Sequence, residues 1–261
     1  MTEKTYGPTL RLSQELDAMK YRAEGETFEE SIARLVTIVD QDIRDELYDA
    51  LLNQRILPAC RIRNAVGSKK HVTAFNCFVM KDIPDSLIGI MDVLKEGALT
   101  MQMGGGTGYN FGNIRPKGDL IASVGSAASG PVSYMHIYDS MCATIKSAGE
   151  RRGAMMFVLP ISHPDVEEFV TVKTTPGVLT NANLSIAVSD EFMEALKHDD
   201  YFALKFEGKA YKLVRASELW DKIMQTTRME AEPGVLFMDR VNKENNLWYC
   251  ETITSTNPCA K

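Results

Sequence analysis

No run in this chain approaches the roughly 18 continuous apolar residues that a membrane-crossing helix needs. The opening MTEKTYGPTL also lacks the apolar core of a signal peptide. Positive charge is in short supply: 29 Lys and Arg against 35 Asp and Glu leave a net charge of −6. General affinity for DNA, RNA or an anionic membrane surface is therefore not expected. The cysteines number five, odd and irregularly spaced, so no disulfide framework is encoded and a reducing cytoplasm is the expected compartment. None has CxxC or Cys/His spacing, which argues against a metal site. The four histidines, His71, His136, His163 and His198, show no order suited to a hydrolase triad. Internal repeats and low-complexity segments are missing as well.

What is present is an ordinary globular composition, 44% hydrophobic over 261 residues, enough for one large domain or two small ones. Residues 1–56 read as a small helical region. In TFEESIARLVTIV, Thr27 is a candidate N-cap, Glu29 and Glu30 fill the first turn, and Ile32, Leu35 and Ile38 form an apolar stripe. After Leu57-Pro58 the texture changes, and residues 57–261 alternate strand, loop and helix signals. TAFNCFVM is β-prone. Asp85 or Ser86 then caps a helix carrying Leu87, Ile90, Met91, Leu94, Ala98 and Met101 at helical spacing. MGGGTGYNFG breaks that helix. A second follows SGPVS with Met135, Tyr138, Met141, Cys142 and Ile145 on one face, where Cys142 serves core packing. GAMMFVLP, NLSIAVS and GVLFMD are further strands, and Ser189 and Ser217 begin helices. Strands separated by helices predict an α/β fold with parallel pairing.

Three glycine-rich or basic loops carry two readings each. GGGTG at Gly104–Gly108 lacks the spacing of a dinucleotide fold or a phosphate loop. It is a tight turn with positive φ values or a backbone that a ligand approaches closely. KSAGERRGA (Lys146–Ala154) and NIRPKGD (Asn113–Asp119) are solvated charged turns or contacts for phosphate or a nucleobase.

Taken in order, LPACRIRNA, FNCFV, DSL, GGGTGYNF, IRPKGD, SGPVSYM, KSAGERRGA, HPDVEEF, NLSIAVSDEFMEAL, EPGVLFMDRVN and STNPC resemble the first half of a ribonucleotide reductase catalytic chain. The likeness runs from about Leu57 to Cys259. The wording of RRGA and NPC makes it most similar to the class II, adenosylcobalamin-dependent type. The resemblance implies the first half of a ten-stranded α/β barrel, ending in a finger loop, behind the helical N-terminal region.

On that likeness Cys259 would become a thiyl radical that removes hydrogen from the ribose 3′ carbon. Cys77 would reduce the 2′ position as water leaves, and Asn257 would hydrogen-bond the ribose. Ala59, Cys60, Asn76, Gly104, Gly105, Gly106 and Thr107 would line the substrate pocket. Asp85, Ser86, Arg115 and Lys117 would hold an allosteric nucleoside triphosphate, dNTP or ATP. The segment Lys146, Ser147, Ala148, Gly149, Glu150, Arg151, Arg152 and Gly153 would relay effector identity to the substrate base. Helices near 86–101 and 133–146 would pair in a homodimer. Ribonucleoside diphosphates are the expected substrates.

The sequence departs from the family at Lys261, where the pattern Asn-Pro-Cys-x-Glu places the glutamate that takes the 3′ hydroxyl proton. The partner thiol of Cys77, the second half-barrel and the cysteines that draw electrons from thioredoxin or glutaredoxin do not occur in the 261 residues. The expectation is a split enzyme whose C-terminal reductase fragment is a separate chain. An intein-interrupted gene or a truncation would leave the same break. A class I large-subunit fragment and an inactive nucleotide-binding, dimerising fragment are the alternative functions.

Overall fold

The computed structural model describes residues 6–145 and 153–260. They gather into two compact units.

The first unit comprises the segment through Asn76 together with Met103–Gly105. It holds α1 (Arg11–Tyr21), α2 (Phe28–Leu35), α3 (Gln41–Leu52) and α4 (Cys60–Ala65). The start of α2 is set by a reciprocal cap: Thr27 Oγ1 accepts the Glu30 N–H at 3.1 Å, and the Glu30 carboxylate accepts the Thr27 N–H at 2.7 Å. Phe28, Ile32 and Leu35 of α2 bury against Val36 and Leu51. Ile38 does not continue that stripe. The chain tightens into a 3-10 turn at Val36–Ile38, which rotates Ile38 to 65% exposure.

A charge cluster holds this unit together. Asp17, 2% exposed, receives Arg22 at 2.5 Å and Arg63 at 2.6 Å. The Arg63 guanidinium also lies over the Tyr21 ring, 4.8 Å from its centroid. Removing the carboxylate would leave two half-buried cations facing each other. Asp17→Ala is expected to cost about 3–5 kcal/mol, measured as a lower midpoint in denaturant unfolding.

The second unit carries, in chain order, β1 (Cys77–Val79), α5 (Leu87–Gln102), β2 (Gly106–Asn110), β3 (Leu120–Ile121), β4 (Ser126–Ala127), α6 (Pro131–Thr144), β5 (Met155–Pro160), α7 (Val166–Thr171) and β6 (Ala182–Val188). There follow α8 (Asp190–Lys197), β7 (Tyr201–Phe206), β8 (Lys209–Arg215), α9 (Ala216–Glu230), β9 (Gly234–Phe237) and α10 (Met238–Lys243). Five strands form one parallel sheet in the order β1-β2-β5-β6-β9. The expected parallel α/β arrangement is therefore present. Each new strand adds to the same side of the last, with helix between. Such one-directional winding stacks the connecting helices on one face of the sheet and leaves the other face to different material.

Side-chain alternation along β2 shows the two faces. Tyr109 turns toward the helices, packing edge-on to Tyr138 of α6 with centroids 4.9 Å apart. Phe111 and Phe157 complete a fully buried aromatic cluster with them. The Tyr109 hydroxyl presses on α5 at Gly97, where any Cβ would overlap it, and burial drives its pKa far above the ordinary value. Cys142 of α6 is likewise buried, its thiol pushed up to about 11 by desolvation, as a packing cysteine would be.

Three sequence expectations need correction. Gly106–Asn110, read as loop, is a fully buried strand. The antiparallel hairpin of β7 and β8 was not foreseen. Ser217 does not cap α9, which begins one residue earlier at Ala216; its hydroxyl donates instead to Asp199 at 2.5 Å. Ser189 does cap α8, accepting the Phe192 N–H at 3.2 Å. No helix among the described residues is long and apolar enough to cross a membrane.

His163, 2% exposed, accepts the Asp165 N–H on Nδ1 at 3.1 Å, so Nε2 carries the proton and donates to the Ile114 carbonyl at 2.9 Å. Burial holds its pKa below the ordinary 6.5. The unfolded chain therefore binds the proton first, and the stability contributed by neutral His163 is complete above about pH 6.5 and lost as the pH falls below it. Buried Asp165, whose pKa is raised, acts in the opposite sense at still lower pH. Thermal unfolding from about pH 7.5 to 5.5 should show falling stability, with a shallower slope in His163→Gln.

Candidate functional site: two thiols on the open face of the sheet

Gly106 and Gly108 alternate with Tyr109 and so face away from the helices, into the space taken by the last described residues. A Cβ on Gly108 would overlap the Thr256 carbonyl oxygen. One on Gly106 would lie 3.0 Å from Pro258 Cγ, 3.1 Å from the Ala154 carbonyl oxygen and 3.4 Å from Cys77 Sγ. The absence of side chains at these two positions lets the terminal segment lie directly on the strand. Cys77 is the parallel partner of Gly106 on β1 and shares its face.

Polar clamps hold the segment from both ends. Asn242, at the end of α10, accepts the Ile253 N–H at 2.7 Å and donates to its carbonyl at 2.8 Å. Thr254 donates to Asp82 at 2.7 Å, and Asn110 donates to the same carboxylate oxygen at 3.2 Å. Asn183 of β6 donates to the Pro258 carbonyl at 3.1 Å. Within the segment, Asn257 Oδ1 accepts the Cys259 N–H at 3.1 Å and turns the chain back. The sulfurs of Cys77 and Cys259, separated by 182 positions, consequently meet at 4.0 Å. This is thiol contact, well beyond the covalent distance of about 2 Å. Cys77 is half-buried and Cys259 exposed, so the expected dry cavity is not enclosed by the described residues. At 4.0 Å no further group fits between the two sulfurs.

The remaining expected substrate residues are divided between the two units. Thr107, fully buried, alternates to the helix side of β2 and turns away from the thiols. Ala59, Cys60, Asn76, Gly104 and Gly105 belong to the first unit. There Cys60 lines a cavity of ≈ 240 Å³ with Tyr21, Leu57 and Arg63, and Gly104, at φ +93°, is pressed against the Arg61 guanidinium. Among the expected relay residues, Lys146, Ser147, Ala148, Gly149, Glu150, Arg151 and Arg152 lie outside the described residues, as does Lys261. Gly153 abuts the Cys142 sulfur.

Three of the four expected effector residues, Asp85, Ser86 and Arg115, line one cavity of ≈ 430 Å³. Its walls are largely apolar, with Leu87, Ile90, Ile114 and Tyr134 among them. Ser86 Oγ accepts the Gly89 N–H at 3.1 Å and begins α5, while Gly130, also lining, begins α6. Two helix N-termini and a guanidinium thus border the same space, a setting that favours anions. Asp85 fixes Arg115, accepting from Nε at 2.7 Å and from its backbone N–H at 3.1 Å. Lys117 is not in the lining; its ammonium sits 3.3 Å from Glu168.

Sequence reasoning missed the clamps Asp82, Asn110, Asn183 and Asn242. Their partners are distant in sequence, up to 172 positions for Asp82, and no local pattern marks them. Among the described residues no group of three His, Cys, Asp or Glu side chains could hold a metal ion.

Mild diamide oxidation should link Cys77 to Cys259 and protect both from alkylation. Gly108→Ala, whose methyl displaces Thr256, is expected to lower that yield severalfold and cost about 1–3 kcal/mol. Mass mapping of alkylated peptides checks the first outcome and denaturant unfolding the second.

With this geometry in place, three comparisons bear on it. Residues 75–261 match the family model described as "Ribonucleotide reductase, barrel domain". A "Vitamin B12-dependent ribonucleoside-diphosphate reductase" of Thermoplasma acidophilum is 42% identical over 188 residues, covering 71% of this chain and 24% of the relative. A "Vitamin B12-dependent ribonucleotide reductase" of Streptomyces clavuligerus is 31% identical over 268 residues, covering 92% of this chain and 27% of the relative. The chain thus spans about a quarter of the length of these relatives. In fold it is similar to the Actinobacillus ureae class Id ribonucleotide reductase alpha subunit, with a TM-score of 0.80 at 21% identity, covering 96% of this chain and 45% of that one.

Proposed function

This chain belongs to the ribonucleotide reductase barrel-domain family, and on that premise we propose that it supplies the first thiols, the ribose-binding amide and the effector cavity of an enzyme that reduces ribonucleotides to 2′-deoxyribonucleotides. The observation that carries the reading is the contact of Cys77 and Cys259 over the bare glycine face of β2. In the net reaction two thiols give up two electrons and two protons, one disulfide forms, and the 2′ oxygen leaves as water. Cys259 would give its hydrogen atom to the initiating radical, take the 3′ hydrogen of the ribose, and return that hydrogen to the 3′ carbon once the 2′ position is reduced. Cys77 reduces the 2′ position together with a thiol outside residues 1–261. Asn257, its amide oriented through the Cys259 N–H, holds the sugar.

The relatives' names point to diphosphate substrates and to adenosylcobalamin. The donor set fits: an exposed thiol can be reached by a group docked from outside, and Cys259 is the residue that would face it. When bound, that cofactor supplies the radical that starts the chemistry. The cavity at Asp85, Ser86 and Arg115 receives a nucleoside triphosphate effector. Helices α5 and α6 pair across a homodimer, in keeping with the exposure of Leu87, Ile88, Leu99 and Ile137. Reductase sequence outside residues 1–261 completes the barrel and brings the contacts for thioredoxin or glutaredoxin. Exposed Phe237, Leu247, Trp248 and Tyr249 are apolar surface for such a completion, and the cytoplasm is its compartment.

The test is turnover of a ribonucleoside diphosphate by this chain combined with the complementary barrel half, adenosylcobalamin and a dithiol reductant. Activity is expected only with all components, and Cys259→Ser should lower it by more than about a thousandfold. Turnover that survives in Cys259→Ser, or that proceeds without adenosylcobalamin, would overturn the proposal.

A further inference from the structure

One wall of the ≈ 430 Å³ cavity is a flap: Ile121, Ser123, Val124 and Ala128 line it, and they belong to or flank the two-residue strands β3 and β4. The flap has little packing of its own. Leu120 and Val124 are each 68% exposed, and β3 and β4 pair only with one another. Its base is closed by two backbone bonds, Gly118 N–H to the Ala128 carbonyl at 2.9 Å and Ala128 N–H to the Asp119 carbonyl at 2.7 Å. A loop so thinly supported would open readily unless something outside it held the base.

Two groups provide that hold: the Arg115 guanidinium, which donates to the Leu120 carbonyl at 3.1 Å, and Asp119. The Tyr211 hydroxyl of β8 donates to its carboxylate at 2.5 Å, and the Lys209 ammonium, itself 4.4 Å from the Tyr211 ring centroid, stands 3.9 Å from the other oxygen. Accepting from the phenol, the Asp119 carboxylate favours its protonated form and pushes its pKa up to about 12.

The hairpin behind Tyr211 is anchored firmly. Phe202 and Leu204 of β7 are buried in the core, with Phe202 edge-on to Phe192 at 5.1 Å. Lys205 N–H donates to the Ser162 carbonyl at 2.6 Å, its ammonium meets Glu191 at 2.7 Å, and Lys212 pairs with Glu167.

We propose that the β7–β8 hairpin is a brace for the effector flap, and that Tyr211 is a positioning residue for effector binding through Asp119. The brace holds the flap in the shape that lines the cavity before a nucleotide arrives, so the ligand does not have to order it. This inference rests on the effector reading of the cavity.

The experiment compares the wild-type chain, Tyr211→Phe and Asp119→Asn, by calorimetric titration with dATP and dTTP and by amide hydrogen exchange without nucleotide. Tyr211→Phe keeps the ring over Lys209 and loses only the hydroxyl. It should weaken nucleotide binding about three- to tenfold and speed exchange at Gly118 and Ala128, with the amides of β5 and β6 unchanged. Asp119→Asn retains an oxygen acceptor for the phenol and should fall between the two. Equal affinity in wild type and Tyr211→Phe would overturn the brace while leaving the effector reading intact, as would unchanged exchange at Gly118 and Ala128. Absence of binding by the wild-type chain would remove the effector reading and this role with it.

Discussion

The carbonyl oxygen of Thr256 occupies the place where residue 108 would carry its first side-chain atom. Backbone laid this closely on backbone is open only to glycine, and it sets the rest of the site. A parallel sheet wound in one direction collects its helices on one side. The other side must be covered by something thin enough to reach the strands. Here the cover is a single extended segment, seated on Gly106 and Gly108 and clamped by Asn242, Asp82 and Asn183. The meeting of Cys77 and Cys259 follows from that seating. Neither thiol is drawn to the other by any strong attraction; the 4.0 Å contact is where the backbone leaves them.

The opposite face of β2 makes the same strand a floor for α5 and α6, whose first residues line the ≈ 430 Å³ cavity. Tyr109 packs against Tyr138 of α6 and presses its hydroxyl on Gly97 of α5. Those helices begin at Ser86 and Gly130, both in the cavity wall. Thiol face and cavity are therefore joined by packed, fully buried material with no mobile linker between. That continuity is the physical prerequisite for communication between them, although continuity alone does not make a two-state element.

Much of this arrangement was legible from local pattern. Thr27 and Glu30 spell a cap, Ser189 starts a helix, and MMFVLP and NLSIAV read as buried strands because apolar runs between turns have few other uses. Gly106–Asn110 was hidden for the opposite reason. Glycine reads as turn by propensity, and only the tertiary demand for a side-chain-free face makes it strand. The hairpin was less hidden: two short runs carrying Tyr201, Phe202, Leu204 and Phe206 on one side and Tyr211, Leu213 and Val214 on the other flank Glu207-Gly208, which is the turn that joins β7 and β8. Lys117 and Thr107 show the limit of motif transfer. A motif places a residue in a neighbourhood, whereas one step along a strand or loop decides which way its side chain points. The clamps were beyond reach, since an asparagine acquires that role only from a partner brought close by folding.

In the radical chemistry proposed above, the exposed Cys259 thiol would face two separate tasks. Aiming the sulfur needs fixed backbone, and the glycine seat with its clamps meets that need within this chain. Shielding it needs a dry enclosure, because a sulfur radical open to water and solutes is quenched before it finds its substrate. The sheet's inner face does not provide one: Asn183 and Cys259 are both solvent-exposed there. The edge at β9 and the exposed Trp248 and Tyr249 lie in the same unit, with unsatisfied backbone groups on one and uncovered aromatic surface on the other. β9 is the opposite edge of the sheet from β1, which carries Cys77, so material pairing with β9 covers the thiols only where it also extends across the face of β6 and β5.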